Sequence, residues 1–336
     1  MTLPLSAPGF WWSGTSWKAR ILAPFGLIYG AIAAGRMERP PQYRAKLPVI
    51  CVGNFVAGGA GKTPVALALG TMLEAAAARP AFLSRGYGGS EAGPLQVDPD
   101  RHRAADVGDE PLLLAARAPT IIARDRVAGA RLIEQTDATC IVMDDGFQNP
   151  SLQKTLSLAV VDGEVGIGNG MCLPAGPLRA PLSRQIRHAD AVVAMGTGPG
   201  REAMQAVCRE AGIDLFDARL ELDVSGVQPG QRLLAFCGLG RPKKFFRALH
   251  EASLDVVHTV RFPDHHILSE AEAGAIDDRA RADGLVPVTT QKDFMRLKSL
   301  TGPAQKALLE TIRVIPATCR FADPDAVRNK LVTTVV

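Results

Sequence analysis

The chain has 336 residues, enough for two domains of ordinary size or one large one. Hydrophobic residues make up 47% and charged residues 21%, the proportions of a folded globular protein, which excludes general disorder. The net charge of +4 comes with no Lys/Arg block and no aromatic-interleaved basic stripe in the body of the chain, so no nucleic-acid partner is expected. The cysteines (Cys51, Cys140, Cys172, Cys208, Cys237, Cys319) are scattered without C-x-x-C spacing, which gives neither a zinc site nor a redox motif and points to a reducing compartment.

All three tryptophans, Trp11, Trp12 and Trp17, lie within the first 17 residues and lead into an apolar stretch from Ile21 to Gly35, broken only by Pro24. At about 15 residues it falls short of the roughly 20 needed to span a hydrocarbon core. Lys18 and Arg20 flank it on one side, and Arg36, Arg39, Arg44 and Lys46 on the other. Interfacial tryptophan and flanking cations read as a segment lying on a membrane with one face dipped in. The competing readings are a helix buried on its own domain and a cleaved signal peptide.

After Arg39-Pro40-Pro41, the run Leu47–Gly53 predicts a buried parallel strand, and Pro64–Ala78 an Ala/Leu-rich helix with proline in its first turn. Further strands are expected at Ala81–Ser84, Thr120–Ala123, Thr139–Met143, Leu156–Val161 and Ala191–Met195, with helices at Glu110–Arg117 and Arg126–Gln135. This alternation predicts a doubly wound α/β sheet with its ligand at the strand C-termini. A second, smaller α/β pattern follows a turn-rich stretch at 222–230: strands at Leu233–Cys237, Val256–Val260, Val286–Thr290 and Ile312–Ile315, helices at Lys243–Ala252 and Glu270–Ala282. The expected organisation is an N-terminal membrane-interface segment (1–40), a P-loop domain (41–222) and a smaller C-terminal α/β domain (223–336).

The strongest chemical signal is Gly58-Gly59-Ala60-Gly61-Lys62-Thr63 between predicted strand and helix. Val56 replaces the first glycine of a strict Walker A motif, but the physical ingredients remain. Backbone N–H groups converge on phosphates, Lys62 reaches the β and γ positions, and the Thr63 hydroxyl ligates magnesium. An apolar strand ending in Asp144-Asp145 offers the carboxylates that order the metal; the bland alternative is a helix cap. Gly108-Asp109-Glu110-Pro111 reads either as an acidic helix N-cap or as a carboxylate placed to take a proton from a substrate hydroxyl. His265 and His266 are adjacent and follow a predicted strand, which suits a loop facing a cleft, but the pattern leaves their role open.

Several segments in order resemble one family, the tetraacyldisaccharide 4′-kinases of Gram-negative bacteria. They are Gly53-Asn54 with Gly58–Pro64, Ser84-Arg85-Gly86-Tyr87-Gly88, Val107–Pro111, Asp144-Asp145-Gly146-Phe147-Gln148, Leu173-Pro174-Ala175-Gly176-Pro177-Leu178-Arg179, Asp264-His265-His266 and Thr289-Thr290-Gln291-Lys292-Asp293. The resemblance implies transfer of the γ-phosphoryl group of ATP, with Mg2+, to the 4′-hydroxyl of an acylated disaccharide 1-phosphate. It implies a site at the cytoplasmic face of the inner membrane and no obligatory protein partner. By the same resemblance Asp109 is the general base supported by His265, while Thr63, Glu110, Asp145 and Asp144 order magnesium. Arg85, Tyr87 and Arg179 match positions near the acceptor. The chain departs from the family pattern at Asn149, where histidine is usual, and at Gln291, where glutamate is common. The rival expectations are a P-loop GTPase or metallochaperone-like switch, which Ala57 and the lack of an Asn-Lys-x-Asp stretch weigh against, and a membrane adaptor with a purely structural P-loop.

Overall fold

The computed structural model describes residues 7–14 and 16–335, so the first residues of the expected N-terminal segment lie outside the described part. A 3-10 turn at Gly9–Trp12 precedes helix α1 (Trp17–Met37). Next come β1 (Val49–Gly53), α2 (Lys62–Ala75), β2 (Pro80–Ser84), β3 (Leu95–Gln96), α3 (Ala104–Val107), α4 (Asp109–Ala115), β4 (Thr120–Ile122), α5 (Arg126–Ile133) and β5 (Cys140–Asp144). They are followed by β6 (Leu156–Asp162), α6 (Leu182–Gln185), β7 (Ala191–Met195), α7 (Pro199–Ala211) and β8 (Asp214–Leu222). The second pattern supplies β9 (Arg232–Cys237), α8 (Pro242–Glu251), β10 (Asp255–Arg261), α9 (Glu270–Asp283), β11 (Val286–Thr290), α10 (Gln291–Lys298), α11 (Pro303–Thr311) and β12 (Arg313–Ile315). The chain closes with β13 (Ala317–Phe321) and α12 (Pro324–Val335).

Nine strands form one sheet in the order β13-β8-β7-β6-β1-β5-β2-β4-β3, parallel except for the two edge strands β13 and β3. Both faces are covered, and that is why the inner strands read as unbroken apolar runs rather than alternating ones. In β1, Val49 and Cys51 point into one core layer and Ile50 and Val52 into the other. Strand order reverses at β1, between β6 and β5, and the P-loop leaves from the C-terminal end of β1 at this switch point. A separate four-stranded parallel sheet, β10-β9-β11-β12, has its own layers, with Leu234 and Phe236 on one side and Leu233, Ala235 and Cys237 on the other.

The far C-terminus differs from the expectation of a small unit running to residue 336. β13 pairs antiparallel with β8 (Cys319 opposite Leu220), and Cys319, Phe321, Val327 and Leu331 join the core of the large sheet beside α2. Residues 317–335 therefore return to the large sheet, which gains an edge strand and a covering helix. All six cysteines are buried thiols without a disulfide.

Helix α1 has two unlike faces. Gly26 and Gly30 lie against the 172–181 segment so closely that a Cβ on Gly26 would sit 2.8 Å from the Cys172 carbonyl oxygen. The opposite face exposes Trp17, Ile21, Phe25, Leu27, Ile28, Tyr29 and Ile32 to solvent. Packing through small residues thus coexists with an apolar outer face. No helix among the described residues is long and apolar enough to cross a membrane.

Candidate active site

The P-loop is held from two sides. Asn54 is fully buried and donates to the Gly58 carbonyl at 2.9 Å, bracing the loop across its base. The 177–179 segment is stitched alongside: Ala57 N–H donates to the Pro177 carbonyl at 2.7 Å, and Arg179 N–H to the Phe55 carbonyl at 2.9 Å. Gly58 and Gly61 take φ of 111° and 91°, a region open to glycine, and a Cβ added at Gly58 or Gly59 would meet no atom within 4 Å. The result is a concave run of backbone with open space in front of it, leading into the N-terminus of α2, an arrangement suited to phosphate.

The two strand-terminal aspartates have separate jobs. Asp144 is buried at the end of β5, and its Oδ2 accepts a hydrogen bond from the Thr63 hydroxyl at 3.0 Å. Its Oδ1 is buried without a hydrogen-bond partner among the described residues. Burial pushes this carboxyl up to about 7, aided by the nearby Glu110 charge and opposed by Lys62. An orphaned buried oxygen beside a threonine hydroxyl is a costly arrangement in an empty protein. It fits a hard divalent cation, which Thr63 and Asp144 would hold.

Asp145, by contrast, is engaged by cations. Arg179 forks onto it at 2.8 and 3.2 Å, and Lys62 Nζ lies 3.7 Å away. Burial alone would raise the Asp145 carboxyl, but Lys62 and Arg179 outweigh it and hold it at about 2. Arg179, expected near the acceptor, therefore ties Asp145 to the P-loop, since its Nε also donates to the Val56 carbonyl at 3.1 Å.

Facing this half is a second charged cluster, built where α10 of the small sheet lies on α4. Asp109 is 3% exposed, and its Oδ2 receives Arg296 Nε at 2.7 Å and lies 3.2 Å from His265 Nδ1. Lys292 Nζ donates to Glu110 at 2.9 Å and lies 3.4 Å from His265 Nε2. Burial would raise the Asp109 carboxyl, but the hydrogen bond from His265 and the charges of Lys292 and Arg296 prevail and hold it well below the usual carboxylate range. Lys292 is held charged: burial favours the neutral amine, yet Glu110, Asp109 and Asp264 push its pKa upward. With that ammonium facing Nε2, the neutral imidazole carries its hydrogen on Nδ1 and donates it to Asp109.

The structure thus brings together Asp109 with His265, Thr63 with Asp144, and Lys62 with Asp145. Glu110 is turned to Lys292, although its charge still reaches Asp144. Tyr87 is exposed, with its ring edge-on to His265 at 5.6 Å, and Arg85 is exposed just after β2. His266 stacks on Phe262 and pairs with Glu272, away from Asp109. Asn149 closes a local turn, accepting from the Ser151 N–H and hydroxyl at 2.8 and 2.7 Å. Sequence reasoning assigned no role to Asn54, Lys292 or Arg296. The first two lie in family-like segments, whereas Arg296 follows the last of them by a helical turn.

A family model described as tetraacyldisaccharide-1-P 4′-kinase (LpxK) matches residues 18–336. The chain belongs to this family. A tetraacyldisaccharide 4′-kinase of Methylobacterium nodulans is 51% identical to it over 96% of this chain and 94% of its own length. One from a Bradyrhizobium species is 48% identical over 96% of this chain and 93% of its own. The crystal structure of LpxK from Aquifex aeolicus in complex with ATP matches with a TM-score of 0.73 at 25% identity, covering 95% of this chain and 99% of that one. The α/β P-loop fold is that of the family, and the nucleotide-switch alternative is not favoured.

Proposed function

We propose that the protein transfers the γ-phosphoryl group of ATP to the 4′-hydroxyl of an acylated disaccharide 1-phosphate, working at a membrane surface supplied with ATP, the cytoplasmic face of the inner membrane. The observation that carries this reading is a phosphate-binding half, with Thr63 on Asp144 at 3.0 Å, and a carboxylate–imidazole half, with Asp109 3.2 Å from His265 and Lys292 on Glu110 at 2.9 Å. Phosphoryl transfer asks for this division, because one side must hold and neutralise phosphate while the other receives the hydroxyl proton.

The P-loop backbone would cradle the β and γ phosphates, and Lys62, the first residue of α2, is largely buried with Nζ 3.7 Å from Asp145. Thr63 and Asp144 would hold magnesium, which would supply charge against the phosphoryl oxygens. The Asp109–His265 pair takes the hydroxyl proton. Asp109 is the base, and His265, 3.2 Å from its Oδ2 through Nδ1, supports it. Exposed Tyr87, edge-on to His265, borders the pair on the side we assign to the acceptor.

The outer face of α1 supports the membrane reading, because an acceptor with several acyl chains stays in the bilayer. Seven large apolar side chains on this one helix are exposed.

The test is phosphate transfer from labelled ATP to tetraacyldisaccharide 1-phosphate in detergent micelles, with and without magnesium. Magnesium-dependent labelled lipid is expected from the wild type, reduced about a hundredfold or more by Lys62→Ala and by Asp109→Ala. No labelled lipid from a wild-type protein that binds ATP would refute the assignment.

A further inference from the structure

We propose that Arg296 is a positioning residue for phosphoryl transfer: it fixes the Asp109 carboxylate, and through it the His265 ring, and does so from the opposite sheet. The proposal rests on the function proposed above and extends it to a residue outside the P-loop and outside the proton-accepting pair.

Arg296 is 4% exposed, yet a guanidinium is among the side chains least often buried, so its partners must satisfy it fully. They do so in three directions. Nε donates to Asp109 Oδ2 at 2.7 Å; Nη1 donates to Asp293 Oδ1 at 2.9 Å; Nη1 and Nη2 reach the Gly238 carbonyl at 3.2 and 3.3 Å. Asp293 is anchored in turn, accepting from Gly238 N–H at 2.9 Å and from the Thr290 hydroxyl at 2.6 Å. The clamp is therefore built into the C-terminal ends of β9 and β11, and it reaches out of the small sheet to a single atom of the large-sheet half.

Helical spacing explains why the clamp comes with the pair. Lys292, Met295 and Arg296 share one face of α10 at i, i+3 and i+4. Met295 packs on the Val107, Leu112 and Ile122 cluster around α4, and the cations on either side of it meet Glu110 and Asp109. Among the described residues, Asp109 Oδ1 accepts only the neighbouring Glu110 N–H, at 3.0 Å. Orientation of the carboxylate thus depends on what grips Oδ2, and of the groups there Arg296 makes the shortest bond. A guanidinium keeps its charge throughout turnover, so it can hold Asp109 without competing for the proton.

The experiment uses the full-length enzyme with Arg296→Ala and Arg296→Lys in the labelled-ATP lipid assay, with rates normalised to folded enzyme. Arg296→Ala is expected to lower kcat about a hundredfold, the scale of a misplaced catalytic group, with the KM for ATP within about twofold of wild type. Added methylguanidine is expected to recover about tenfold of that loss, and to recover nothing in Asp109→Ala. Arg296→Lys keeps one charge but cannot span Asp109, Asp293 and the Gly238 carbonyl, so kcat falls about tenfold at unchanged ATP KM. If Arg296→Ala does not fold, the lysine variant alone decides. A kcat within about twofold of wild type in the folded variants, or a loss that methylguanidine leaves untouched, overturns the proposal while the lipid kinase reading stands. A wild type inert toward the lipid overturns both.

Discussion

Asp144 is the residue at which site chemistry and stability oppose each other most directly. Its carboxyl is ordinary near 3.8 when the chain is unfolded and about 7 when buried beside Thr63. Between those values the folded protein binds a proton that the unfolded chain has released, so stability falls as pH rises through this window. Three units at about 1.4 kcal/mol each set a ceiling of about 4 kcal/mol, reached above pH 7. Asp144→Asn removes the titration while keeping a side-chain oxygen for the Thr63 hydroxyl. In metal-free buffer with chelator, urea or thermal unfolding is expected to show the wild type losing stability relative to Asp144→Asn from pH 5 to 8, by about 2–3 kcal/mol. The pH slope of the difference matters more than its offset, because the substitution's constant effects cancel in it. Magnesium with ATP should narrow the gap for the wild type alone, because a cation at the orphaned Oδ1 removes the cost of the charge. A difference between the two proteins that stays flat across this range would refute the placement of Asp144 as a buried carboxyl waiting for a cation.

Other substitutions separate the remaining parts. Arg179→Ala frees Asp145 to turn toward Lys62 and unpins the loop from the Val56 carbonyl; ATP affinity measured by calorimetry should drop about tenfold, the loss of one charged hydrogen-bonded pair. Asp162, at the end of β6, is 5% exposed and paired with Arg241 and Lys244 of the small-sheet half. Removing one partner of such a pair strands the others, so Asp162→Ala should destabilise by about 3 kcal/mol in chemical denaturation at pH 7. Although burial raises the Asp162 carboxyl, these cations hold it below the usual carboxylate range, so the pair's contribution is present above pH 4 and lost as pH falls through the lower folded value. Ile28→Asp, on the exposed face of α1, should abolish cosedimentation with anionic vesicles while leaving the unfolding midpoint unchanged; retained vesicle binding would remove α1 as the membrane contact.

Much of the fold is legible in the sequence where burial is two-sided. β1, β5, β6 and β7 lie at the positions that apolar runs predict, because strands covered on both faces must be apolar throughout. β8 and β13 carry no such signal. Their burial alternates or is partial along Asp214–Leu222 and Ala317–Phe321, and they pair antiparallel at a sheet edge, so nothing local marks that the last strand returns to the first sheet. That pairing spans about a hundred residues and is decided by the Cys319, Phe321 and Leu331 contacts beside α2.

The site divides along the same line. The P-loop is legible because its chemistry is contiguous: turn, lysine, hydroxyl and helix start are consecutive residues. Asp144 and Asp145 are adjacent too, but adjacency conceals their difference. Asp145 takes φ of 54°, turning its side chain out of the strand and onto Arg179, while Asp144 stays in β5 facing Thr63. The other half of the site is a tertiary construction. Asp109 and His265 are 156 positions apart, and Asp109 and Arg296 are 187 apart. An Asp-Glu pair at a helix start and a Lys and Arg one turn apart each look like ordinary solvated or capping groups in the sequence. Only the seating of α10 on α4 turns four ordinary charges into a buried network. A cation held by the small sheet therefore sets the geometry of a carboxylate held by the large one, and chemistry at the interface depends on contacts from both.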